Sequence, residues 1–340
     1  MPAPRRGGTR PRTDGAGEGR SGGPAGASGE SGGAAGSTVP AGSSASGPPA
    51  GSSGSTVPAN SSASGLPASK AGPAGSTSDE PNVPSLLPSE DAAIFGLTLD
   101  ALARRWVRAI DSAPIGAEAM RGADRRAQAM GVSSYWLMEN AGCAVAAAVK
   151  ALAVQTDRWG KGPILILCGP GNNGGDGFVA ARYLSRQGAR VVAVLVGTEG
   201  RPVGKDSSRN WDRLEGEEHV ERIHTPVPRD VAILAQGVVK AGLVVDALLG
   251  TGVQGALRDP IRSAVELIDR ARRAGIPILS VDTPTAVDLT SGDLSDPVVS
   301  AHVTVTFHRP KTGLLTRRGS AVAGRVLVAP IGIPPGVDRG

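Results

Sequence analysis

Only two cysteines, Cys143 and Cys168, occur in the 340 residues, both in apolar surroundings. Two thiols cannot build a disulfide scaffold, so they read as reduced core residues, as expected in the cytoplasm. Aromatic residues make up only 3% of the chain, and Lys and Arg form no long run. Without stacking rings or a basic run, the net charge of +5 and isoelectric point near 9.6 read as a mild attraction for anionic ligands. A nucleic-acid surface is not expected. No uninterrupted stretch of about 18 apolar residues occurs, which argues against a membrane-spanning helix. The N-terminal arginines Arg5, Arg6, Arg10 and Arg12 have no apolar segment behind them, so no secretory leader is expected. The four histidines, His219, His224, His302 and His308, show no metal-ligand spacing with each other or with cysteine.

Gly, Ser, Ala, Pro and Thr dominate the first ninety positions, which contain no Phe, Tyr or Trp. Such a segment cannot bury enough apolar surface to offset its chain entropy. It holds an internal repeat: GSTVPAGSSASG at 36–47 returns as GSTVPANSSASG at 54–65, a period of 18. The unit lacks the apolar positions a stacked solenoid needs and reads as duplicated linker. Residues 1–92 are therefore expected to be a disordered tail. Residues 93–114 are expected to be a linker with a short amphipathic helix, because Leu99, Leu102, Trp106 and Ile110 recur at helical spacing. The folded domain is placed at 115–334, with 335–340 as a C-terminal tail.

Within that domain helices are predicted at about 116–130 and 137–155, the latter Ala-rich and apolar nearly all round, as in a buried helix. Strands then alternate with helices: PILILC (163–168), RVVAVLV (190–196), LVVDAL (243–248), PILSVD (277–282), HVTVTF (302–307) and GRVLVAP (324–330). Helices are expected at about 176–187, 204–217, 229–237 and 260–273. This alternation predicts right-handed βαβ units and an α/β fold, a Rossmann-like three-layer α/β/α domain with a mostly parallel sheet. Ligands bind such sheets outside the carboxyl ends of the strands.

Three strand ends carry unusual residues. The first is Gly169-Pro170-Gly171-Asn172-Asn173-Gly174-Gly175-Asp176-Gly177, with five glycines in nine residues between a strand and a helix. Glycines there let backbone N–H groups approach a ligand, and the helix N-terminus favours a phosphate. Gly169, Gly171 and Gly174 satisfy GxGxxG. The acid a dinucleotide fingerprint wants about 20 residues on is missing, because the first acid after the second strand is Glu199. That makes an ordinary NAD-dependent dehydrogenase a poor fit. The second strand end is Asp246 with the turn from Gly250 to Gly255. The third is Asp282-Thr283-Pro284-Thr285-Ala286-Val287-Asp288. Asp246 and Asp282 are expected side by side on neighbouring strand tips. Two carboxylates there can hold a hard cation through oxygen, or one can act as general acid/base with its pKa tuned by the other.

LMENAG (137–142), CGPGNNGGDGFVAAR (168–182), VVDALLGTG (244–252), VDTPTAVD (281–288) and VTFHRPKTGLL (305–315) together resemble the NAD(P)H-hydrate epimerase family, the N-terminal module of the YjeF group. The resemblance spans about 115–334. It implies an isomerase that interconverts the R and S forms of hydrated NADH and NADPH, NADHX and NADPHX, in repair of nicotinamide cofactors. A paired ATP- or ADP-dependent dehydratase then restores the S form. By the resemblance Asn172, Asn173, Gly174, Gly175 and Asp176 contact the hydrated dinucleotide. Gly250, Thr251, Gly252, Val253, Gln254, Gly255 and Ala256 lie against its phosphates. Asn173, Asp246 and Thr285 correspond to the ligands of one potassium ion. Asp282 corresponds to the acid at the nicotinamide end and is the candidate catalytic residue. Lys311 falls near the site, either with a role there or as a surface lysine. Family members are commonly dimers, so a homodimer is an open expectation.

The carbon to be inverted bears a hydroxyl and the ring nitrogen, so it is a hemiaminal. It can lose hydroxyl to an iminium and regain water on the other face, or the ring can open and reclose. One carboxyl group can serve the first route as acid and then base. The chain departs from the family at the acid loop, which usually reads Asp-x-Pro-Ser-Gly-x-Asp: Thr285 stands for Ser, and Ala286 for Gly. If that last position needs φ > 0, a Cβ there is strained by about 1 kcal/mol. A catalytically impaired homologue that binds a nucleotide or a protein is the alternative reading. The dehydratase module that often follows in bacteria has no counterpart in these residues, so the ATP-dependent step is not expected of this chain.

Overall fold

The computed structural model describes residues 86–107, 113–250 and 255–337. The repeat-bearing segment up to residue 85, Ile110 and the last three residues lie outside these. Seven strands form one all-parallel sheet: β1 (Ile164–Cys168), β2 (Val191–Val196), β3 (Val220–Thr225), β4 (Leu243–Ala247), β5 (Ile278–Val281), β6 (Val303–Phe307) and β7 (Arg325–Ala329). Their order is β3-β2-β1-β4-β5-β6-β7. The chain winds outward one way to β3 and the other way from β4, so the topological switch point lies between β1 and β4. Such a point is where open α/β sheets bind their ligands.

The expected α/β architecture is therefore present. β3 was not among the expected strands. Its sequence, VERIHT, is half exposed at a sheet edge and shows neither the continuous apolar run of a central strand nor clean alternation. By contrast β1 is buried on both faces. Ile164, Ile166 and Cys168 join one core and Leu165 and Leu167 the other.

Helices cover both faces: α1 (Leu99–Val107), α2 (Ala117–Ala129), α3 (Ser134–Gln155), α4 (Asn172–Arg186), α5 (Lys205–Asp212), α6 (Pro228–Leu234), α7 (Ile261–Arg273), α8 (Thr312–Leu315) and α9 (Arg317–Ala323). Length and hydropathy would let α3 cross a membrane, but its apolar stretch is 89% buried inside the protein, as suits a core helix. Its small residues let α4 pack closely: a Cβ on Gly142 would fall 2.3 Å from Val179 Cβ. On the other face α7 buries Ala264, Val265, Leu267, Ile268 and Ala271 and ends in Arg270, Arg272 and Arg273, which complement its negative C-terminal dipole.

The segment placed as linker at 93–114 is not one. Ile94, Leu99, Leu102 and Trp106 are buried in the main core. The residues just before it, expected in the tail, are also tied down. Ser89 donates from its backbone N and its hydroxyl to Asn140 Oδ1 at 3.1 and 2.7 Å, and Asp91 pairs with Arg105. The amphipathic helix was expected correctly. What periodicity could not show is that its apolar stripe finds a partner in α3 and β7. Beyond β7, Arg126 donates to the carbonyl of Val337 in the expected C-terminal tail.

Candidate active site

The site forms at the carboxyl ends of β1, β4, β5 and β6. The glycine-rich segment after β1 is mostly helix: α4 begins at Asn172, not near residue 176. Four of its five glycines serve packing, whereas a Cβ on Gly171 would meet open space. A Cβ on Gly169 would lie 1.9 Å from the Leu248 carbonyl oxygen, and one on Gly174 1.9 Å from the Gly169 oxygen. Gly169 N donates to Ala247 O at 2.9 Å, sealing the turn onto β4. Gly175 and Gly177 would likewise clash, with Met138 and Ser207 and with Cys168 and Ala247. The squeeze brings the first turn of α4 over the strand ends. Asn172 is left exposed there, while Asn173 and Asp176 are buried.

Asp246 ends β4 and is wholly buried. Its Oδ2 accepts from Thr285 N at 2.8 Å and Ser280 Oγ at 2.9 Å; its Oδ1 accepts from Thr285 Oγ1 at 2.6 Å and Leu248 N at 3.3 Å. Burial still raises its carboxyl above the ordinary range, against the pull of these four bonds. Asn173 stands nearby: its Oδ1 would lie 3.2 Å from a Cβ on Gly250, next to Leu249, whose N donates to Thr285 Oγ1 at 3.2 Å. Asn173 Nδ2 is buried without a partner among the described residues. An amide oxygen, a carboxylate and a hydroxyl are a donor set for a hard cation. Turning the Thr285 hydroxyl onto the Leu249 carbonyl, 3.5 Å away, frees one position on Asp246 and leaves Thr285 Oγ1 a lone pair beside the bond from Leu249 N.

The expected pairing of Asp246 with Asp282 is not what the fold makes. In the β4–β5 register the neighbour of Asp246 is Ser280, and Asp282 lies two residues further on. Asp282 N still donates to Val305 O at 2.7 Å, but its φ of 61° turns the chain out of the sheet. Aspartate tolerates that left-handed conformation better than most residues. The turn points Asp282 toward β6, where Thr306 Oγ1 donates to its Oδ1 at 3.0 Å and Lys311 Nζ lies 3.2 Å from the same oxygen.

Lys311 is completely buried, so the surface alternative falls away. Its ammonium also donates to Thr306 Oγ1 and Phe307 O, both at 2.8 Å, and to Arg309 O at 3.3 Å. A parallel bridge to Ile115 fixes its backbone. Burial lowers its pKa and the Asp282 charge pulls it back up.

Asp282 lines a cleft of about 170 Å³ with Asn172, Asp176, Phe307 and, from α2, Asp124. The carboxyl electrostatically coupled to Asp282 is thus Asp176. Burial first, then the charges of Asp282 and Asp124, push it well above the usual carboxylate range. Arg121 and Asp124, which the sequence reading did not single out, wall this cleft from a helix with no motif of its own. Of the expected phosphate-side loop, Gly250, Gly255 and Ala256 are described, and Thr251, Gly252, Val253 and Gln254 lie outside the described residues.

Ala286 has φ 78°, so the position does demand the left-handed conformation. Ala286→Gly is expected to stabilise the protein by about 1 kcal/mol in equilibrium denaturation. No gain in the midpoint would mean that the loop carries no strain.

The YjeF-related protein N-terminus family matches residues 134–313. Among curated proteins, the Bifunctional NAD(P)H-hydrate repair enzyme Nnr of Methanothermobacter thermautotrophicus is 41% identical over 220 residues, 64% of this chain and 40% of that one. The chain thus spans under half the length of such bifunctional relatives. The NAD(P)H-hydrate epimerase of Cenarchaeum symbiosum is 34% identical over 230 residues, 66% of this chain and 98% of its own. The crystal structure of yeast YNL200c superposes with a TM-score of 0.51 at 26% identity, covering 59% of this chain and 82% of the yeast chain.

Proposed function

This chain belongs to the YjeF-related N-terminal family, and on that premise we propose that it interconverts the R and S forms of hydrated NADH and NADPH. The observation that carries the reading is Asp282, a buried carboxyl group held by Thr306 and Lys311 in the wall of the cleft that Asn172 and Asp176 also line. A match over 98% of a relative named as an epimerase supports it from outside the site.

In this reading the dinucleotide lies across the N-terminus of α4, where Asn172 and the free Nδ2 of Asn173 offer hydrogen bonds and the helix dipole favours its phosphates. From the turn after β4, Gly250, Gly255 and Ala256 would contact the same phosphates. The hydrated ring enters the cleft against Asp282, whose charge stabilises the iminium formed when hydroxyl departs and accepts a proton from the returning water. Lys311 and Thr306 are positioning residues: both reach Asp282 Oδ1 and fix its rotamer. Asn173, Asp246 and Thr285 would hold a potassium ion, which supplies fixed positive charge beside the dinucleotide. The product of this step suits a separate ATP- or ADP-dependent dehydratase specific for the S form, in a reducing, cytoplasmic setting.

The test supplies enriched R-NADHX with excess S-specific dehydratase and ATP, with and without this protein, in potassium and then in sodium. Faster recovery of NADH with the protein is expected, and faster in potassium. Recovery no faster than the spontaneous rate would defeat the reading, and equal rates in the two salts would remove the ion.

A further inference from the structure

Loss of hydroxyl from a hemiaminal needs a proton on the departing oxygen before any base is useful. Asp282 is a poor source of it. Its Oδ1 is already occupied by two donors, Thr306 Oγ1 at 3.0 Å and the Lys311 ammonium at 3.2 Å. The acid must come from elsewhere.

A second carboxyl lines the same cleft from a different element. Asp176, in the second turn of α4, is 9% exposed and has no hydrogen-bond partner among the described residues. No side-chain donor among the described residues bonds its carboxyl, in contrast to Asp282. Its helix is fixed from behind, since the Asp176 carbonyl oxygen would lie 2.6 Å from a Cβ on Gly142. The two carboxyls therefore have opposite surroundings: Asp282 is donor-rich and Asp176 is donor-poor. Environments that differ in this way divide an acid from a base.

We propose that Asp176 is the catalytic acid that protonates the departing hydroxyl in one direction of the interconversion, while Asp282 is the base that takes the proton of the returning water, the two exchanging roles in the reverse direction. This rests on the epimerase reading above. The Asp176 O–H bond breaks and its proton goes to the substrate oxygen. The C–O bond breaks with its electron pair on the departing water, and the ring-nitrogen lone pair forms the C=N⁺ bond. Water then bonds to the opposite face of that carbon, the π pair returns to nitrogen, and the released proton goes to the Asp282 carboxylate. The proton returns from Asp282 to Asp176 through water in the cleft, and nothing is oxidised or reduced.

The groups facing Asp176 agree with this role. Asp282 approaches from the β5 loop and Asp124 from α2, and Cys168 of β1 lies close enough to be coupled to it. Arg121 and Asp206 line the same cleft, and Lys311 stands behind Asp282. Burial keeps the Cys168 thiol neutral, and burial together with the charges of Asp282 and Asp124 raises the Asp176 carboxyl.

The test uses the full chain in the R-NADHX assay, with NADH binding measured in parallel. Asp176→Asn and Asp176→Ala are expected to lower kcat by about 100-fold or more while leaving the NADH Kd within about 3-fold. Formate should restore part of the Asp176→Ala rate, more so at lower pH where formic acid is present. In the wild type, kcat should fall as rising pH ionises Asp176. Near-normal kcat in Asp176→Asn overturns the proposal, as does a loss confined to NADH affinity. A wild-type kcat that stays flat from about pH 5 to about pH 9 overturns it without any variant. An inactive wild type overturns the epimerase reading itself, whereas an active wild type with an active Asp176→Asn removes only the acid.

Discussion

Asp282→Asn is expected to lower kcat for NADHX epimerisation by about 100-fold or more and to leave dinucleotide binding nearly intact. The amide keeps the size of the carboxyl and can still accept from Thr306, but it neither takes a proton from water nor stabilises a passing cation. The substitution also strands the Lys311 ammonium inside the protein. Removing one partner of a buried ion pair costs about 3–5 kcal/mol. Here the lower end applies, because Thr306 Oγ1 and the carbonyls of Phe307 and Arg309 still accept from Lys311. The double variant Asp282→Asn/Lys311→Met separates the two effects. Denaturation should show stability partly regained, since no uncompensated charge is left, while activity stays lost. Recovery of activity together with stability would mean that Asp282 matters only as a counter-ion.

Gly174→Ala is expected to destabilise the protein by about 3 kcal/mol or more. The new Cβ would stand 1.9 Å from the Gly169 carbonyl oxygen and 2.9 Å from its carbon. Both are backbone atoms, and Gly169 is itself pressed against Leu248 and bonded to Ala247. Neither side can yield without parting α4 from the β1–β4 strand ends. For a domain of this size the loss corresponds to roughly 6–12 °C in Tm. Gly197→Ala is the control. A Cβ there meets only Pro170, at an ordinary 3.7 Å, and the change should stay within about 0.5 kcal/mol. Equal Tm values for the two variants would show that the glycines after β1 are not required for packing.

The parallel α/β fold could be read from the sequence because its central strands are short apolar runs bounded by Gly, Pro or Asp, and its helices carry clear stripes. The polar residues ending β4 and β5 and opening α4 could be read for the same reason: a buried sheet has no use for Asp246, Asp282 or Asn173 unless they sit at its carboxyl edge. The question of positive φ at Ala286 came from the resemblance, in which Gly usually stands there, and the structure answers it with φ 78°. Tertiary structure decided the rest. Register set Asp246 against Ser280 and Thr285 and sent Asp282 to Lys311, because Asp246 lies inside the paired part of β4 whereas the chain turns out of the sheet at Asp282 through φ 61°. Burial of Lys311, 29 residues of chain beyond Asp282, depended on a bridge to Ile115 that no local pattern encodes. LMENAG reads as a motif, yet its Asn140 clamps Ser89, its Glu139 pairs with Arg182, and its Gly142 admits α4. The contribution of α2 to the cleft is of the same kind. Residue type and local spacing fix which groups stand at a strand end, but which of them face one another depends on contacts between distant segments, and those exist only once the sheet is assembled.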